Sequence, residues 1–315
     1  MYLNEHYHNE NRIMNRFSTG IKLASEGYKD YSVNYKRNQK WKILFHTVLN
    51  LRFSKKWFRY VTSPDFNQIF SYRPRIYIKP FRPYISTKFS KRRKVKIILD
   101  TYQFLRERKI LNTILKKSIT ISEIKFDKEH IGILRLEYDE RFRKEGELVL
   151  TFESNKCGKI ISVAFSVEKN DIKEWVCLVG CVQGVSKTSF KCAQKSLFGM
   201  KPNTFIIYSL QEIMKNLSCN NILATGDEIQ VNRKKHFINI KYIHKIRFNY
   251  NKFYNELNGI KKNDNWYKLP LKYKQKEIST IKSNKRNLYR KRYNLLKEIS
   301  QQIKTKINNG LQQSI

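Results

Sequence analysis

The sequence predicts an α+β fold: a mainly antiparallel mixed sheet with flanking helices, ending in a basic helical C-terminus. Three observations lead there. Strand-like runs follow one another through residues 130–184 with short connections, which implies an antiparallel meander. The hydrophobic period then changes to that of a helix over 201–218, where Ile206, Leu210, Ile213, Met214 and Leu217 form one stripe. Last, Ile281, Leu288, Leu295, Ile299, Ile303 and Ile307 make a sustained apolar stripe through a Lys- and Arg-rich segment.

Along the chain, residues 1–90 are expected to be a basic N-terminal extension with a proline-containing connector, and 91–310 the α+β domain. In 41–53, Trp41, Leu44, Phe45, Val48 and Leu49 recur at helical spacing, so a short amphipathic helix is predicted. Residues 63–84 hold Pro64, Pro74, Pro80 and Pro83, four of the six prolines, and read as an extended connector. A helix follows at 92–115. The runs 130–138, 146–154, 159–168 and 174–184 are the strands, with "SNKCGK" as the turn of a hairpin. Pro202 suits the first turn of the helix at 201–218, and 220–228 reads as a buried strand beneath it.

Composition narrows the function. The 315 residues carry a net charge of +38, with 22 basic and 6 acidic side chains in 1–100, 18 and 13 in 101–200, and 24 and 7 in 201–315. Such a field attracts polyanions, RNA or an anionic membrane surface. An AT-rich gene, rich in Lys, Asn and Ile codons, would produce part of it without any partner. No apolar run is long enough to span a membrane, and the start lacks a secretory core, so the expected location is cytoplasmic.

Five cysteines without a C-x-x-C pair, and six histidines without a ligand cluster, predict a reduced, metal-free protein. Cys177 and Cys181 are expected on one strand face. The stretch "VGCVQGVSKTSF" (179–190) is not a P-loop: Gly180 and Gly184 stand one residue too close, and Val185 and Ser186 separate Gly184 from Lys187. A strand end turning into a helix is the reading there. Glu137 and Asp139 share a strand face, but no general base can be named from that.

Five blocks in order carry a resemblance: "GCVQG" (180–184), "QKSLFGMKPNTFIIYSLQEIM" (194–214), "NYNKFYNELNG" (249–259), "NWYKLPL" (265–271) and "KSNKRNLYRKRYNLL" (282–296). They resemble the VirK/YbjX family of bacterial proteins over about residues 75–305, and the lysine-heavy character resembles its VirK branch. The resemblance marks Gln183, Gly184, Gly199, Lys201 and Pro202. Tyr250, Phe253, Glu256, Leu257, Gly259, Leu269 and Pro270 continue the set. Three positions depart from the pattern: Tyr254 stands where a Trp is usual, Asn258 where a Gly is usual, and Phe198 where a His often precedes the glycine.

The family resemblance implies a cytoplasmic accessory protein linked to virulence, envelope adaptation and antimicrobial-peptide resistance. For the VirK branch it implies post-transcriptional support for a surface protein needed in intercellular spread. It supplies no reaction.

Two mechanisms fit these residues. In the first, Lys282, Lys285, Arg286, Arg290 and Arg292 hold RNA or another polyanion, with Tyr289 and Tyr293 available for stacking. In the second, the order meander, helix, strand resembles the acetyltransferase (GNAT) topology, and an acyl-CoA lies along 174–184 with its phosphates at a helix N-terminus. The usual [Arg/Gln]-x-x-G-x-[Gly/Ala] loop is missing. Candidate ligand residues are Gln183, Gly184, Lys201, Pro202, Phe253, Glu256 and Gly259. Apart from acyl-CoA no cofactor is expected. A third reading makes the basic ends an adaptor on anionic headgroups.

Overall fold

The computed structural model describes residues 17–233 and 248–309. The chain falls into two compact units, Met1–Arg82 and Pro83–Ile315, against a boundary expected near residue 90.

The first unit is helical: α1 (17–27), α2 (Val33–Val48), α3 (Leu51–Val61) and α4 (Pro64–Tyr72), then a 3-10 segment Ile76–Phe81. Ser32 caps α2 by accepting the Tyr35 N–H. Ile43, Trp57, Phe58, Phe66, Ile69 and Tyr77 form a core of its own, and Trp57 Nε1 donates to the Tyr77 carbonyl at 2.7 Å. Two expectations fail here. Residues 63–84 are not an extended connector, because Pro64 occupies the first turn of α4, where its missing N–H costs nothing. The single short helix expected over 41–53 is also replaced: α2 ends at Val48 and α3 begins at Leu51, and α2 buries Gln39, Ile43 and Thr47 while Trp41, Phe45, Val48 and Leu49 are exposed.

The second unit is the α+β domain. It opens with α5 (Lys91–Glu107) and α6 (Leu111–Lys116), split where one helix was predicted because Lys109 adopts φ 56°. Strands β1 (Ile119–Lys125), β2 (Ile131–Glu137), β3 (Leu148–Ser154), β4 (Gly158–Lys169) and β5 (Trp175–Gly184) form the meander. Helices α7 (Lys187–Ser196) and α8 (Pro202–Asn216) cross over to β6 (Cys219–Thr225). Then come α9 (Tyr250–Glu256), a short hairpin of β7 (Ile260–Lys261) and β8 (Trp266–Leu269), and α10 (Ser283–Asn308).

The sheet order is β1-β2-β3-β4-β5-β6-β8-β7, and β5–β6 is its one parallel pair. Parallel pairing needs a crossover, which α7 and α8 supply. Helix α8 is buried along nearly its whole length, with Phe205 against Phe152 of β3 at 4.8 Å between ring centroids. Tyr208 of α8 donates to the Leu296 carbonyl of α10 at 2.6 Å, which docks the C-terminal helix.

A bulge at Gly180 resets the face alternation of β5: Phe165 pairs with Val179, yet its neighbour Ala164 pairs with Cys181. Cys177 and Cys181 therefore lie on opposite faces, not on one. The expectation of a fully reduced chain also fails, since Cys157 and Cys192 form a disulfide with their Cα atoms 5.9 Å apart. Cys177, Cys181 and Cys219 are free and buried.

Candidate functional site

Strand β5 outruns its parallel partner. Residues Trp175–Val179 pair with β6, which ends at Thr225, so among the described residues Gly180–Gly184 has no strand on that side. Buried backbone carbonyls need donors. Thr225 Oγ1 and Gln230 Nε2 donate to the Gly180 carbonyl at 2.9 and 3.0 Å, and Tyr250 Oη donates to the Val182 carbonyl at 3.1 Å. The splay opens a cavity of about 1060 Å³, large enough for an extended organic ligand.

The cavity lining is mixed in chemistry. Ile161, Val182, Phe190 and Phe248 give it apolar lining. Arg141, Arg143, Lys144, Lys187 and Lys191 bring cations to it, although Arg141 is already paired with Asp139 and Arg143 with Glu140. Ser186 caps α7 by accepting the Ser189 N–H at 3.0 Å, so the positive end of that helix opens beside Lys187.

Glu145 is the buried acid of this cavity. Its Oε1 accepts from Asn232 Nδ2 at 2.5 Å, and its Oε2 has no hydrogen-bond partner among the described residues. Burial pushes its carboxyl above the ordinary value, against the Asn232 hydrogen bond that lowers it. The loop carrying Glu145 presses on the bulge: a Cβ at Gly180 would stand 1.9 Å from the Glu145 carbonyl oxygen, so only glycine fits. Burial likewise raises the Cys181 thiol well above its usual range, and nearby Glu145 adds to the shift, so burial favours the neutral thiol over the thiolate there.

The candidate ligand residues divide. Gln183 and Gly184 are exposed on the cavity mouth. Lys201, Pro202, Phe253, Glu256 and Gly259 are absent from its walls. Lys201 stands at the start of α8 with its Nζ 3.1 Å from Glu256 Oε2, and Pro202 opens the helix. Phe253 is buried on α9, and a Cβ at Gly259 would stand 2.8 Å from the Tyr254 carbonyl oxygen. These positions hold α8, α9 and β8 together.

The polyanion candidates divide as well. Lys282, Lys285 and Arg290 are exposed. Arg286 donates to the carbonyls of Ile281 and Ser279, and buried Arg292 donates to the Phe198 carbonyl through Nε and Nη2 at 3.1 and 2.6 Å. Tyr289 lies under the Arg292 guanidinium, and Tyr293 Oη exchanges hydrogen bonds with the Lys276 backbone. Glu137 and Asp139 both meet Lys159, an ordinary charge cluster. Sequence reasoning missed Glu145 and Asn232, because an acid in a charged turn carries no local sign of burial.

Among the described residues no helix is long and apolar enough to cross a membrane. The family described as "Protein of unknown function (DUF535)" matches residues 33–305. The chain is 23% identical over 283 residues to "Uncharacterized protein YbjX" of Escherichia coli (strain K12), covering 86% of this chain and 84% of that protein. It is 29% identical over 127 residues to an "Uncharacterized protein" of Haemophilus influenzae, covering 39% of this chain and 41% of that one. No solved structure matches.

Proposed function

From a chain that belongs to the DUF535 family, which includes the VirK/YbjX resemblance, we propose an acyltransferase-like enzyme whose donor, an acyl-CoA, occupies the cavity beside β5. One observation carries the reading: β5 runs on past β6 into a cavity that ends at the cationic start of α7. Strand ends at such a crossover are where open sheets with crossover helices take ligands. The strand order, with one parallel pair, supports an acetyltransferase-like topology. The apolar lining residues suit the pantetheine arm and acyl chain, and Lys187, Lys191 and the helix start suit the phosphates. Glu145 is the proton-transfer group we assign: in its ionised form it takes the proton of an acceptor amine or hydroxyl that attacks the thioester carbon, the C–S bond breaks, and the leaving CoA thiolate takes up that proton. Action in envelope adaptation and peptide resistance fits such an enzyme.

Calorimetric titration with CoA and with a long-chain acyl-CoA tests the donor site. Gly184→Leu would fill the mouth without strain, since a Cβ there meets nothing nearer than 3.7 Å. Lys187→Glu removes a cation. Binding by the wild type, weakened about tenfold (about 1.4 kcal/mol) in either variant, is expected. No binding heat with either ligand would sink the reading.

A second reading keeps its own observation. Lys282, Lys285 and Arg290 stay exposed on α10, so RNA or another polyanion has a landing face there. The VirK-branch role, post-transcriptional support for a surface protein, belongs with that reading.

A further inference from the structure

The C-terminal half of helix α2 is apolar on the side it turns to solvent. Ile43 and Thr47 are buried beneath it, while Trp41, Phe45, Val48 and its C-cap Leu49 are 66%, 62%, 55% and 62% exposed. Steps of four, three and one residue put these four on one flank of the helix. An apolar patch of this kind is costly in water and marks an interaction surface. Its surroundings are cationic: Lys36, Arg37, Lys40 and Lys42 lie in α2, four more cations lie in α3, and Val33–Val61 contains no acid.

We propose that this face of α2 docks on an anionic lipid bilayer. An aromatic and aliphatic flank bordered by Lys and Arg is the composition of helices that lie in the membrane interface. Tryptophan prefers that depth, and each cation near an anionic surface adds to the attraction. Charge complementarity argues against a second copy of the same face, which would bring cations against cations. Val48 and Leu49 argue against RNA, since aliphatic side chains offer no π face for base stacking. Docking of this kind is independent of the cavity in the second unit.

The chain carries its own reporter. Of its four tryptophans, Trp57, Trp175 and Trp266 are 2%, 7% and 4% exposed, so Trp41 alone faces solvent. The experiment mixes the full chain with vesicles of phosphatidylcholine and phosphatidylglycerol, or of phosphatidylcholine alone, and reads flotation and tryptophan emission. Flotation and a blue-shifted emission are expected with the anionic vesicles and not with the neutral ones, and both should weaken as salt rises.

Phe45→Asp with Leu49→Asp should cut vesicle binding about tenfold or more while circular dichroism stays unchanged, because both side chains are exposed. Arg37→Glu with Lys42→Glu should weaken it in the same direction. The proposal is overturned if anionic vesicles neither float the protein nor shift its emission. It is equally overturned if the shift follows protein concentration without vesicles, or if the double Asp variant binds as the wild type does.

Discussion

Glu145 shows what burial does to a single carboxyl. Its ordinary pKa of 4.5 is raised in the folded chain, by desolvation first, so between the two values the folded chain holds a proton that the unfolded chain has released. The sign follows. Below about 4.5 the stabilising contribution is fully present, and it is lost as pH rises towards the elevated folded value. The slope is at most about 1.4 kcal/mol per pH unit from one group. Glu145→Gln keeps an oxygen to accept from Asn232 and cannot ionise. Urea unfolding of that variant across mildly acidic to neutral pH should show a flatter dependence than the wild type. Identical slopes would mean that burial does not raise the Glu145 carboxyl above its ordinary value in the folded chain.

At the scale of elements, α7 decides the shape of the cavity, and it is held at both ends. Ser186 caps its start, and Cys192 ties it to Cys157 in the β3–β4 turn. His130 braces the same junction, with Nε2 3.1 Å from Ser154 Oγ and Nδ1 3.3 Å from Ser196 Oγ. Closing a loop of 35-residue separation restricts the unfolded chain by about 3–4 kcal/mol in the chain-entropy account. Cys192→Ser, or the wild type in dithiothreitol, should therefore melt several degrees lower, with faster amide exchange in α7. A Tm indifferent to both would show that the link contributes nothing to stability. The pairing had no local sign in the sequence, because it joins a turn to a helix that only the tertiary fold brings together. Strands β2 to β5 and helix α8 were legible, since their apolar runs are long and bounded by turn residues. Strand β1 was hidden by its bulge between Thr120 and Ser122, and β7 and β8 are too short to show a period. Helix α2 was legible as a helix but not in its orientation, because both of its flanks carry apolar residues.

For the whole molecule the question is what a net charge of +38 is for. Part of it is structural. Arg108 donates to the Leu217 carbonyl and lies 3.8 Å over the Phe104 ring, and Arg292 closes the Phe198–Gly199 turn, where Gly199 needs its φ of 76°. The basic C-terminal segment was legible as a helix, yet its sequence could not separate cations turned inward from those turned out. The fold now separates them, and the two classes should respond differently to substitution. Arg292→Ala removes charge-assisted hydrogen bonds at a buried position and should cost about 2–3 kcal/mol. Lys285→Glu with Arg290→Glu lies at the surface and should change stability by no more than about 0.5 kcal/mol. Purification of both variants and the wild type, with absorbance at 260 and 280 nm before and after a high-salt wash, turns that contrast into a test. Nucleic acid that leaves the wild type with salt, and is absent from the folded Lys285/Arg290 variant, would give α10 a polyanion-binding role. A wild type free of nucleic acid would make the exposed charge on α10 a matter of composition, and would leave the β5 cavity as the site to pursue.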